Sequence, residues 1–358
     1  MKKGILKSLI MKKNFVPNND RTILYKINET LKSILDQIKN ASEFAEFPKY
    51  VNDICEIEPS IFLEFIDSNI NNEEFIKLFK VKSDYLFGTD YYIQYLWAIE
   101  KFLFIKEYQS TAIELLFKLD SKNIDYKKKN SPKETLLDVF CAWLNVIPID
   151  IDNKIEIAKC MMAKYNNAWD IIAGNLPNSR NNITLTINKP LYLNNEEFKS
   201  EQIDRNIEIF VEYFKLCLLY CDNCQKLVKL IKKIKYYSND IKNQFVTLYN
   251  QMIDTFSDEE KLDLKNELKE IIYNNRFYNN HEHSLSEESL TIYEELYNQI
   301  SLTNKVYEYK YLFEKYNRFP LIKPVPYSDD NWCEKNNELR KCEINEKIKE
   351  FIEKNMIL

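Results

Sequence analysis

The sequence predicts an all-α protein, an α-solenoid-like array of antiparallel helix pairs with degenerate repeats of the tetratricopeptide or HEAT kind. Three observations carry this. Apolar residues recur at helical spacing through most of the chain. Only 3 glycines occur in 358 residues, where ordinary usage near ~7% would give about twenty-five. Helix-start signals also recur, a serine followed three residues later by a glutamate at Ser131 and Glu134, Ser257 and Glu260, and Ser284 and Glu287. Each such helix has an apolar face too wide to leave in water, so neighbours must stack. The length exceeds the ~250 to 300 residues at which single cores stop growing, which favours an elongated array. The expectation is roughly fourteen to seventeen helices, far above the base rate for helix, in lobes spanning 1–190 and 191–358.

In chain order, Arg21 to Asn40 reads as an amphipathic helix with Ile23, Leu24, Ile27, Leu31, Ile34, Leu35 and Ile38 on its apolar side. FPKYVNDICEIEPSIFLEFIDSN reads as two short helices broken at Pro59, and Asn71 with Glu74 has cap spacing for the next. Tyr91 to Asp120 holds two helical runs. SPKETLLDVFCAWL starts with Ser131, Pro132 and Glu134, a proline-led and glutamate-capped helix start. Two more helices follow from about Asp152 and about Tyr165, stopping at Leu176 and Pro177. Trp97, Trp143 and Trp169 recur in these segments and are expected to be buried anchors.

After Pro177, alternation of Ile183, Leu185 and Ile187 with Thr184 and Thr186 reads as an extended connector between lobes. A long helical segment from Asn195 to about Cys221 opens the second lobe, followed by CQKLVKLIKKIK and SNDIKNQFVTLYNQMIDTF. Helices capped at Ser257 and Ser284 come next. Pro320, Pro324 and Pro326 then impose a loop, and NNELRKCEINEKIKEFIEKN forms the last helix.

The chemistry implied is mostly negative. Scarce glycine disfavours phosphate loops and dinucleotide folds, and nucleophile elbows and H-E-x-x-H are absent. A net charge of −5 disfavours nucleic acid as a whole-chain partner. No apolar run reaches the ~18 residues of a spanning helix, so the expectation is a cytoplasmic protein with buried free thiols. Cys217, Cys221 and Cys224 stand as C-x3-C-x2-C, a spacing similar to the cluster loop of radical S-adenosylmethionine enzymes. Asn223 replaces the aromatic expected there, the leading cysteine lies in a helical run, and no fourth zinc ligand is near, so no metal or cofactor is assigned. Arg276 and His281 form R-x4-H, which resembles the motif of helical ribonucleases of the HEPN group. There a histidine moves a proton while an arginine steadies phosphate charge. Phe277 follows the arginine where that group has a polar residue, so this is the alternative rather than the main reading. The basic stretch Lys226 to Lys235 reads as core through Leu227, Leu230, Ile231 and Ile234, with its lysines in water.

The segments PSIFLEFI, LFGTDYYIQYLWAIEKF, KETLLDVFCAWL, NAWDIIAGNLP, RFYNNHEHSL and YKYLFEK, in that order over roughly Ile38 to Lys354, resemble a helical region of large, mostly uncharacterised bacterial proteins. Some of those are suspected of acting in antiphage defence. That region continues its central tryptophan helix with a Pro-Gln-Thr turn, whereas Asn145, Val146, Ile147 and Pro148 follow Trp143 and Leu144 here. The resemblance implies a sensor or scaffold array beside a separate effector and carries no catalytic residue. The reading is therefore a non-catalytic interaction module that binds a protein or peptide on a concave helical surface.

Overall fold

The computed structural model describes residues 21–46, 58–80, 91–122, 124, 130–177, 187, 201–202, 206–279, 284–304, 307, 309 and 321–355. Among them fifteen α-helices and two short 3-10 turns account for almost all regular structure, so the chain is all-α. It divides into two compact units, Met1–Leu216 and Cys217–Leu358. Ile183 and Leu185 of the expected connector, and the expected lobe division at 190, lie outside the described residues.

The first unit opens with α1 (Arg21–Leu35), which buries Ile27, Leu31, Ile34 and Leu35 at helical spacing but leaves Ile23 exposed. In α2 (Ala41–Glu46), Asn40 is the cap: its Oδ1 accepts from the Glu43 amide at 3.0 Å. Helix α3 (Pro59–Asn69) starts on Pro59, whose missing N–H costs nothing in a first turn. Helix α4 (Glu73–Lys80) is capped by Asn72, which accepts from the Glu74 amide at 3.0 Å. The cap is therefore one residue later than the expected Asn71. Helices α5 (Tyr91–Phe102) and α6 (Gln109–Asp120) match the two helical runs.

Helix α7 (Pro132–Val139) has the expected start, with Ser131 Oγ accepting from the Glu134 amide at 3.2 Å. It ends sooner than expected. Phe140 to Trp143 leave the helix, and β1 (Leu144–Asn145) pairs antiparallel with β2 (Glu201–Gln202). Leu144 and the β2 residues fall where the sequence reads as helix, with Asn145 just beyond it. Helix α8 (Ile151–Lys164) is capped by Asp150, and α9 (Ala168–Gly174) follows. A Cβ on Gly174 would stand 2.8 Å from Leu137 Cδ2, so glycine permits the close approach of α9 to α7.

Packing in this unit joins α1 to α3, α2 to α4, α4 to α5, α5 to α6, α6 to α7 and α8, and α9 to both α7 and α8. Helix α6 also packs on α3. An aromatic chain fills part of the core: Phe44 to Phe75 at 5.3 Å and Phe75 to Tyr95 at 5.2 Å, both edge-on. The Tyr95 hydroxyl donates to the Phe44 carbonyl at 2.9 Å.

Of the three tryptophans expected to be anchors, only Trp169 is buried, at 2% exposure. Trp97 is 36% exposed on α5, and Trp143 is half-buried beside Phe210 at 6.4 Å. Tyr95, Leu96, Ala98 and Ile99 take the inward positions of α5 and turn Trp97 outward.

Helix α10 (Asn206–Leu219) contains the division between units. In the second unit, α11 (Cys224–Ile231) is followed by a 3-10 turn at Ile234–Tyr236. Leu227, Leu230, Ile231 and Ile234 are buried as expected. Helix α12 (Asn239–Met252) leads to α13 (Asp258–Phe277), whose capping box at Ser257 and Glu260 is present in both directions. Helix α14 (Glu287–Gln299) is capped by Ser286, which accepts from the Ser289 amide at 3.3 Å. The expected cap, Ser284, instead donates to the Tyr278 carbonyl. The last helix, α15 (Trp332–Asn355), starts before the expected position. Helix α13 packs on α11 and α14.

Candidate functional site

Cys217 lies inside α10, Cys221 in the link that follows, and Cys224 is the first residue of α11. All three are buried thiols outside any disulfide. Burial pushes the Cys221 thiol up to about 12, and pushes Cys224 up to about 11 with help from the charges of Glu260 and Asp263. Burial thereby holds both thiols in the neutral form. Cys224 Sγ instead donates to the Glu260 carbonyl at 3.4 Å. Asn223 serves the backbone, since its Oδ1 accepts from the Lys226 amide at 2.9 Å and caps α11. Among the described residues no group of three His, Cys, Asp or Glu could hold a metal. Cys160, Cys333 and Cys342 are exposed rather than embedded, and Cys55 lies outside the described residues.

Arg276 sits in the last turn of α13 with a part-buried side chain. It pairs with Glu294 of α14, and Nη1 donates to the Ile322 carbonyl at 3.1 Å. The guanidinium thus ties three segments together, and a phosphate would have to displace Glu294 to reach it. His281 and His283 lie outside the described residues. The lysines of the basic stretch serve the surface of their unit: Lys226 pairs with Asp222 at 3.0 Å and Lys232 with Glu267 at 2.7 Å.

The strongest candidate is a groove of about 480 Å³ between α3 and α6. Leu63 and Leu115 supply apolar floor, and Tyr108 stands at one end, its ring edge-on to Phe102 at 5.9 Å. Ion pairs cross the groove. Lys118 Nζ lies 2.5 Å from Asp67 Oδ1 and 4.0 Å from Glu114 Oε1. Lys164 reaches Glu114 at 3.5 Å, and the Tyr165 hydroxyl donates to Glu114 at 2.9 Å. The Tyr165 ring stacks on Phe117 at 5.9 Å, which fixes that hydroxyl. A smaller hollow continues past Asp67 and Lys118 to Asn71 and Lys122.

The field in the groove is negative. The Tyr108 hydroxyl is pushed up by burial and then by the charges of Glu107 and Glu58. Tyr165 is pushed up by burial, by its hydrogen bond to Glu114 and by the charges of Glu114 and Asp67. No motif announces this site. Its only sequence signal is Glu114 and Lys118 at i, i+4 in a run that is otherwise apolar, and the partners come from helices some fifty residues away.

A second unusual feature is a set of buried polar side chains. Glu100, 1% exposed, accepts from Thr135 Oγ1 at 2.7 Å. Lys154, with no exposed surface, donates to the Cys141 carbonyl at 3.0 Å, and burial holds its ammonium down to about 8. This lysine holds the turn after α7.

No family model, curated protein or solved structure matches the chain. No described helix is long and apolar enough to cross a membrane.

Proposed function

We propose that this chain is a non-catalytic interaction or sensor module, with the groove between α3 and α6 as a binding surface for a protein or peptide. The groove carries the reading: it joins an apolar floor to polar walls within the ~300 to 1,000 Å³ common for binding sites, and its one lysine, Lys118, is held between Asp67 and Glu114. The all-α construction supports a degenerate α-solenoid. Besides sequential neighbours, α1 packs on α3, α2 on α4, α6 on α8 and α7 on α9, the pattern that stacked helix pairs produce. The contact of α3 with α6 departs from that pattern, and the groove lies at this departure. The resemblance to helical regions of large bacterial proteins extends the proposal to a sensor or scaffold beside a separate effector in a defence system.

A photo-crosslinking residue in place of Thr111, in the groove, should join the chain to one recurrent protein, while the same group at Lys341 on α15 should not. Equal labelling from both positions would remove the groove from the reading. The enzymatic rival, a HEPN-like ribonuclease using Arg276 and His281, makes the opposite forecast. Total RNA should survive incubation with the chain; cleavage that disappears in His281→Ala would replace this proposal with the rival.

A further inference from the structure

We infer that the groove between α3 and α6 takes a lysine- or arginine-bearing peptide segment of a partner protein, an inference that rests on the interaction reading above. The lining holds four carboxylates, Glu64, Asp67, Glu107 and Glu114, against one ammonium, Lys118. That ammonium shows how the groove treats a cation, since Lys118 lies between Asp67 and Glu114 on opposite walls. The remaining two carboxylates are not comparably neutralised. Glu107 has no ion-pair or hydrogen-bond partner among the described residues. Glu64 meets Lys32 at 3.6 Å, with both side chains largely in water, where such a pair holds weakly. An incoming ammonium or guanidinium can therefore settle at Glu64 and Glu107 without breaking the Lys118 pairs.

The apolar part selects a peptide over a bare polyamine. Leu63, Leu115 and the Tyr108 ring offer contact to the methylene stem of a long basic side chain and to an apolar neighbour in the peptide. The same negative field repels phosphate, which disfavours nucleic acid and an anionic membrane at this face. Complementary charge of this kind sets partner choice and association rate more than raw affinity, as a sensing surface requires.

Three fluorescein-labelled peptides of equal length, alternating leucine with lysine, serine or glutamate, test this by fluorescence anisotropy on the intact chain. The lysine peptide should bind, the glutamate peptide should not, and salt should weaken the complex. The Glu64→Gln, Glu107→Gln double variant should lose about tenfold in affinity, the scale of two exposed ion pairs, with its melting temperature unchanged. Thr111→Arg should abolish binding by filling the groove with its own cation. No binding of the lysine peptide, or binding indifferent to these variants, overturns the inference. Spermidine competing as well as the peptide overturns it in favour of a small polyamine. Equal binding of the serine peptide removes the charge argument yet leaves the interaction reading standing, and crosslinking at Thr111 tests that reading separately.

Discussion

Helix α6 has 12 residues and α15 has 24, yet α6 buries seven side chains while α15 buries only Asn336 among its described side chains. Both read as helices in the sequence. Helix α6 is enclosed by α3, α5, α7 and α8, so Ala112, Ile113, Leu115, Leu116, Phe117 and Leu119 all lose water, while Thr111, Glu114 and Lys118 line the groove. Helix α15 keeps Leu339, Ile348 and Ile352 more than 40% exposed. Specific side-chain contacts hold it: Trp332 against Phe277 at 5.1 Å, Glu343 with Lys269 at 3.4 Å, and Phe351 against Tyr309 at 5.1 Å. Neighbours on every side, rather than a helix's own length or pattern, determine how much it stabilises the fold.

Substitutions should separate the two helices sharply. Leu116→Ala leaves a cavity among four helices and should cost about 3 to 5 kcal/mol in urea unfolding. A loss below ~1 kcal/mol would mean that α6 is not enclosed as described.

The next largest effect depends on pH and concerns Lys154 of α8, which packs on α6. Its ammonium titrates at about 8 in the folded protein against an ordinary 10.5, so between those values the unfolded chain binds more protons. Lys154 should therefore add stability as pH rises across that window, by up to about 3 kcal/mol, against the opposite trend from the buried Cys221 and Cys224 thiols, whose raised values favour the unfolded chain as pH rises. In Lys154→Met this added stability should vanish, and parallel stability curves for the two proteins from pH 8 to 10.5 would refute the buried, charge-averse placement.

On α15 the largest response should come from its buried polar residue. Asn336 accepts from the Val325 amide at 2.8 Å and donates to the Val325 carbonyl at 2.9 Å. Asn336→Ala strands both backbone groups and should cost about 1 to 3 kcal/mol, with faster hydrogen exchange at Val325 as the local readout. Ile352→Ser, on the exposed side, should change stability by less than about 0.5 kcal/mol. A larger loss would show that something covers that face in solution.

Much of the helical framework is legible in the residues. Caps at Ser131 and Ser257 can be read because a hydroxyl and a carboxylate three residues apart satisfy amides locally. The caps at Asn72 and Ser286 fall one and two residues from their expected places because serines and asparagines cluster there, and only backbone geometry chooses among them. The tryptophans mislead for a related reason: a large apolar ring at a helical position does not reveal which flank the neighbours occupy, and at α5 they occupy the side away from Trp97. The groove leaves only one local trace in the sequence. Glu114 and Lys118 look like an ordinary solvated pair until α3 brings Asp67 and Glu64 beside them.

Glycine scarcity, helical periodicity and capping all act within a few residues, so the all-α class, the apolar stripes and the local caps follow directly from the order of residues along the chain. Other outcomes are settled only by packing: that α6 is enclosed and α15 left open, that Lys154 is desolvated, and that carboxylates far apart in the chain face one groove. They depend on which surfaces exclude water from one another, and such exclusion is a property of the packed chain that no short stretch of residues contains.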